Sequence, residues 1–213
     1  MASASVDRPN NGFKVDTSRN LFAQVAEQLR VMPGTQEGFN GIARVTDEST
    51  QTFQSSPLDQ VRRDAEFMAK DVVVNFDLKS PPRAPNRYCK TLRRTVKELS
   101  DRHNLVFKGM VNRLKPDESS AFPTFVIVAD EIFDDGQVNW GRIVAVYAFA
   151  ARLAKYYVDN NGHKAAESNG KNLVHYQEKI ALFVGKYVAN KLGQWILDHG
   201  GWVSVLYYSK VKL

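Results

Sequence analysis

An all-α bundle of about eight helices around one hydrophobic central helix is the fold this sequence predicts. Two observations carry that expectation. Apolar residues recur at helical spacing in successive segments from residue 58 onward. One of those segments, beginning at Trp140, is apolar on nearly every side, which marks a helix buried in a core or spanning a membrane. Residues 1–57 stand apart as an extension rich in Ser, Asn, Gly, Thr and Gln, expected to be mostly disordered. The helical domain is assigned to residues 58–213.

Within the extension, Phe22, Val25, Ala26 and Leu29 follow an amphipathic i, i+3, i+4, i+7 pattern, closed by Met32-Pro33-Gly34. Pro57-Leu58 then opens a helix running to about Lys79, with Val61, Ala65, Met68, Val72 and Phe76 on one face. Pro81, Pro82 and Pro85 end it, because proline cannot donate to the helical ladder. A second helix is expected from about Tyr88 to Met110, with Leu92, Val96, Leu99, His103, Val106, Phe107 and Met110 inward. Residues 123–133 contain the strand-favouring run FVIV. However, Phe122, Val126, Ala129 and Phe133 repeat at helical spacing between helical neighbours, which favours helix.

The next helix begins at Trp140, with Asn139 as its cap. Of residues 143–158 only Arg152 and Lys155 are charged or strongly polar. It is too short and too charged to span a bilayer, so it is expected as the central core helix, ending at Asn160-Asn161-Gly162. Arg142 places a permanent cation on its first turn, where it opposes the macrodipole and so calls for a partner carboxylate. Helices at 171–190, 191–198 and 202–209 follow, the last two joined at Gly200-Gly201.

Composition narrows the function. The 213 residues carry 29 Lys+Arg against 23 Asp+Glu, a net charge of +6 that allows weak attraction to anionic surfaces. Six of those cations (Arg83, Arg87, Lys90, Arg93, Arg94 and Lys97) lie within fifteen residues. No RNA-binding aromatic motif or zinc-finger spacing accompanies them, so nucleic acid is a weak option. The lone Cys89 excludes an intramolecular disulfide and fits a reducing compartment. No Gly-rich phosphate loop, nucleophile elbow or metal-ligand spacing appears, and His103, His163, His175 and His199 are scattered. The expectation is a binding protein rather than an enzyme, with no metal and no cofactor.

Two motifs then point to a family. VNWGRIVAVYAF resembles the first homology motif of the Bcl-2 apoptosis regulators, and WILDHGGW, about sixty residues later, resembles the second. QVRRDAEFMAKDVVVNFDLK is loosely similar to the family's first helix. The resemblance covers residues 58–209. It implies a bundle with a hydrophobic surface groove that receives the amphipathic third-motif (BH3) helix of another family member.

Carried over by position, the resemblance places Leu99, His103, Val106, Phe107 and Met110 on one side of that groove. Val128 and Ile132 fall on the next helix, with Asn139, Gly141, Arg142 and Ala145 where the central helix starts. Gly141 would meet the ligand's small residue and Arg142 its aspartate. Asp130, Glu131, Asp134 and Asp135 would form an acidic rim that favours basic ligand flanks. Trp140, Trp195 and Trp202, with Gly200 and Gly201, are assigned to packing.

The implied partners are BH3 helices of Bak- or Bax-like or BH3-only proteins, in a heterodimer. The implied location is the cytoplasm and the cytosolic face of the mitochondrial outer membrane, reached through a C-terminal tail beyond SKVKL. The family contains survival factors and pore-forming killers. This chain's own third-motif candidate, TLRRTVKELSDRHN, has Val96-Lys97 where the family has Gly-Asp. That disfavours reciprocal groove exchange between copies and favours a survival factor. An extra residue between Gly136 and Asn139, and Phe149-Ala150-Ala151 in place of Phe-Gly-Gly, resemble the Bax-type alternative instead.

Overall fold

The computed structural model describes residues 56–165 and 171–211. The Phe22–Leu29 pattern, with nearly all of the N-terminal extension, lies outside the described residues. All regular structure among the described residues is helical.

Helix α1 spans Pro57–Asn75, with Pro57 in its first turn and Ser56 accepting the Asp59 N–H at 3.1 Å. It stops short of Lys79. Asn75 turns its side-chain amide onto the Asp71 carbonyl at 2.7 Å, and a turn precedes the prolines. Helix α2 spans Arg87–Arg102, capped by Asn86, which accepts the Cys89 N–H at 2.8 Å.

The single helix expected over 88–110 is in fact two. His103 leaves helical geometry at φ −107° and ψ 30°, and its N–H closes on the Leu99 carbonyl at 3.0 Å. Helix α3 then spans Asn104–Leu114 and ends at Lys115, whose φ of 43° is left-handed. A turn built on Asp117 leads into α4, Ala121–Ile132. Hydrogen bonds from the Ser119 and Ser120 hydroxyls and amides hold the Asp117 carboxyl at about 2. The FVIV run is helical, and its buried side is Ala121, Thr124, Phe125, Val128, Ala129 and Ile132. Phe122 of the helical repeat is exposed and leans on Phe183 with ring centroids 4.6 Å apart.

Helix α5 spans Trp140–Ala165 and forms the middle of the bundle. Every residue from Trp140 to Ala151 is buried. Asn160 and Asn161 do not end it. Their side-chain amides donate to the Tyr156 and Tyr157 carbonyls one turn back, at 2.7 and 3.0 Å, so the helix accommodates them. Helix α6 (Lys171–Tyr187) continues through a π-helical turn (Val188–Leu192) into α7 (Gly193–Asp198). Gly200 and Gly201, both at positive φ, turn the chain into a 3₁₀ turn (Gly201–Val203) and α8 (Ser204–Val211).

Helices α1, α2, α3, α4 and α6 all pack on α5. Helix α1 lies along α6, and α8 crosses α2. The Tyr147 hydroxyl on α5 donates to the Ala65 carbonyl of α1 at 3.2 Å. Trp140, Trp195 and Trp202 share one aromatic cluster, with Trp140 centred 5.7 Å from Trp195 and 5.6 Å from Trp202. The Trp202 indole donates to the Val61 carbonyl at 3.1 Å, which ties the 3₁₀ turn before α8 to α1.

Candidate functional site

Helices α3 and α4 each rest on α5 but make little or no contact with each other. They therefore flank a cleft whose floor is α5. Leu99, Phe107, Met110, Val128, Ile132, Gly141 and Ala145 are all buried, while His103, Val106 and Asn139 are half-buried. Desolvation and the neighbouring Arg102 lower the His103 pKa, so its imidazole is neutral at pH 7. Leu105, on the first turn of α3, is the most exposed large apolar side chain among the described residues.

The loop joining α4 to α5 organises one end of this cleft. Gly136 adopts φ 71°, the left-handed region that glycine enters without cost from a Cβ. The turn closes with the Gly136 N–H on the Phe133 carbonyl at 2.9 Å, and Asp135 accepts the Gln137 N–H at 2.9 Å. Asn139 caps α5 by accepting the Arg142 N–H at 3.0 Å.

Folded this way, the loop delivers two acceptors to Arg142. Both guanidinium ends bind the Asp135 carboxylate, Nη1 to Oδ1 and Nη2 to Oδ2, the latter at 2.8 Å. Nη1 also donates to the Gln137 carbonyl at 2.7 Å. The Arg142 side chain is 1% exposed and that of Asp135 25%.

This corrects two expectations. Arg142 does not stand open for a foreign carboxylate, because its own domain supplies one seven residues earlier. The four acids are not a uniform rim of steering charges either. Asp135 holds Arg142, and Asp130 accepts the Tyr187 hydroxyl at 2.8 Å with Lys191 4.0 Å away. Glu131 and Asp134 form no ion pair with another described residue. The sequence held a signal for the Asp135 role: an Asp-Gly turn just before a capped helix whose first turn carries a lone arginine.

Two further polar ties fix α2. Arg93 pairs with Asp71 of α1, and Arg152 of α5 donates to the Ser100 hydroxyl and, at 3.0 Å, to its carbonyl. Among the described residues no group of three His, Cys, Asp or Glu side chains could hold a metal ion, and no helix is long and apolar enough to cross a membrane.

Comparison with known proteins agrees with this architecture. Dog apoptosis regulator Bcl-2 is 35% identical over 112 residues, covering 53% of this chain and 42% of that protein. The human Bcl-2 homologous antagonist/killer is 27% identical over 110 residues, covering 51% of this chain and 46% of that protein. The matching stretch thus spans less than half of either relative. A zebrafish pro-survival protein, NRZ, solved with Bad BH3, superposes with a TM-score of 0.59 at 19% identity, covering 71% of this chain and 96% of that one. Chicken BOK superposes with a TM-score of 0.54 at 22% identity, covering 72% and 98%. Both likenesses are of fold. The family model for apoptosis regulator proteins of the Bcl-2 family matches residues 92–202, from α2 through the second tryptophan-glycine motif, and the chain therefore belongs to the Bcl-2 family.

Proposed function

We propose that this chain captures the amphipathic BH3 helix of a pro-apoptotic relative in the cleft between α3 and α4, and so restrains cell death at the cytosolic face of the mitochondrial outer membrane. A helix docking there would insert apolar side chains at i, i+3 or i+4, and i+7 between Val106, Met110 and Val128. Each such anchor contributes about 1.5–3 kcal/mol. Ordering the ligand helix gives back about 2–5 kcal/mol. Because Phe107, Met110, Val128 and Ile132 are buried in the free chain, α3 and α4 must part to admit the ligand, which offsets part of the gross gain.

The survival reading rests chiefly on α2. Its Val96 is fully buried, and its Lys97 pairs with Asp101 of the same helix at 3.3 Å. At these two positions α2 offers neither a small residue nor an acid that a second copy could receive at Gly141 and Arg142, and two polar ties hold the helix to α1 and α5. The rival is a pore-forming effector. It is favoured by Phe149-Ala150-Ala151 and by a curated relative of the antagonist/killer type.

Titration of the full chain with a fluorescent BH3 peptide tests capture. Arg142→Ala is expected to weaken binding about tenfold or more, which is about 1.4 kcal/mol. An unchanged dissociation constant removes Arg142 from the ligand site. Dye release from liposomes after activation separates the two readings, because a survival factor blocks release and an effector causes it.

A further inference from the structure

We propose that Asp135 decides which helices the cleft accepts: it occupies the Arg142 guanidinium and has to be exchanged for a carboxylate on the incoming ligand. The inference rests on the capture reading and adds to it a residue that sets specificity from inside the protein.

Three observations carry it. First, the two members of the pair differ in access. Arg142 is 1% exposed, whereas Asp135 is 25% exposed, so the carboxylate is the member that meets water. A ligand arriving from solvent meets the acid before the cation.

Second, the closed pair leaves the guanidinium incompletely satisfied. Asp135 and the Gln137 carbonyl take up Nη1 and one side of Nη2, while the Arg142 Nε is buried without a hydrogen-bond partner. An unmet buried donor costs free energy, so another carboxylate geometry can compete with the resident one.

Third, Asp135 has somewhere to go. It lies on a loop turned by Gly136 rather than on a helix, and its carboxylate also accepts the Gln137 N–H of that same loop.

The chemistry of the exchange sets the specificity. A helix bearing an aspartate trades one ion pair for another, and the released Asp135 is rehydrated or meets a cation on the ligand. A helix without an acid cannot draw Arg142 away, since doing so would leave a buried charge unpaired. Discrimination therefore falls mainly on helices lacking the acid, and the acid itself adds little net affinity, because it replaces a pair that already exists.

The test uses the full chain, wild type and Asp135→Asn, with two BH3 peptides that differ only in the motif aspartate, present or replaced by asparagine. Removing the competing closed state should tighten the aspartate peptide on Asp135→Asn by about fivefold or more. It should leave the asparagine peptide without that gain. Equal or weaker binding of the aspartate peptide by the variant overturns the proposal. Wild-type protein supplies a second measurement that needs no variant. Hydrogen exchange at the Gln137 amide, which Asp135 protects, should speed up when the aspartate peptide binds, and unchanged protection overturns exchange. If both proteins bind neither peptide, the capture reading falls and this one with it; if wild type binds and the variant shows no gain, this inference alone falls.

Discussion

Asp71 and Arg93 bind each other across the α1–α2 interface as a two-pronged ion pair, with the arginine Nε donating to Asp71 Oδ2 at 2.7 Å. The same guanidinium donates from Nη1 to the Pro82 carbonyl at 2.7 Å, fastening the proline-rich connection as well. The side chains are 7% and 16% exposed, so water screens the pair little. Arg93→Ala would strand a buried carboxylate, and a loss of about 3 kcal/mol is expected in urea denaturation. Replacing both partners with apolar residues of similar size should cost much less. Equal losses in the single and double variants would show that the pair's charge is not what matters.

Helix α1 approaches α6 closely at Gly185. A Cβ there would lie 2.8 Å from the Glu66 Cα and 3.3 Å from the Ala69 Cβ. The nearest obstacle is backbone, so the two helices would have to separate. Gly185→Ala is expected to destabilise by about 1–3 kcal/mol or more. Gly109 of α3 offers the control, because nothing lies within 4 Å of a Cβ built there. Gly109→Ala should stabilise by about 0.5–1 kcal/mol through helix propensity alone. Thermal midpoints moving in opposite directions would check both at once.

Trp202 joins the two ends of the described chain. Its indole reaches the Val61 carbonyl of α1, and its ring packs against Trp140 and Tyr147. Trp202→Ala should cost about 3–5 kcal/mol in urea denaturation. Trp202→Phe keeps part of the ring packing but gives up the hydrogen bond, so its loss should be clearly smaller. If phenylalanine costs as much as alanine, the hydrogen bond rather than the packing is the source.

Much of this architecture could be read from periodicity, and the departures have local causes. The apolar phase of Leu92, Val96, Leu99, Val106, Phe107 and Met110 predicted one helix because it runs almost unbroken through His103. The break there is a change in one residue's backbone that leaves the apolar pattern intact. The Asn160-Asn161-Gly162 stop failed because both asparagines satisfy carbonyls one turn back rather than competing for the backbone. At the candidate site, motif spacing identified Arg142 but not its resident partner. Whether Asp135 points outward or back onto the helix depends on a positive φ at Gly136, which periodicity does not register.

Cys89 gives stability a pH dependence whose sign can be worked out. Its thiol is fully buried beside Asp71, and burial first, then the Asp71 charge, push it up from 9.0 to about 12. The folded chain keeps this proton through a window in which the unfolded chain releases it. Above the unfolded pKa the unfolded state binds fewer protons, so stability falls as pH rises, at a limiting slope of about 1.4 kcal/mol per pH unit until the folded thiol itself ionises. Tyrosines and lysines titrate in the same range, so the quantity to follow is the stability of wild type minus that of Cys89→Ala, from urea midpoints at pH 8, 9 and 10. That difference should be flat below pH 9 and decline above it. Iodoacetamide should leave the native thiol unmodified at pH 8 and alkylate it once urea unfolds the chain. A difference that stays level to pH 10, or rapid native alkylation, would show that the thiol is neither sealed from water nor held protonated.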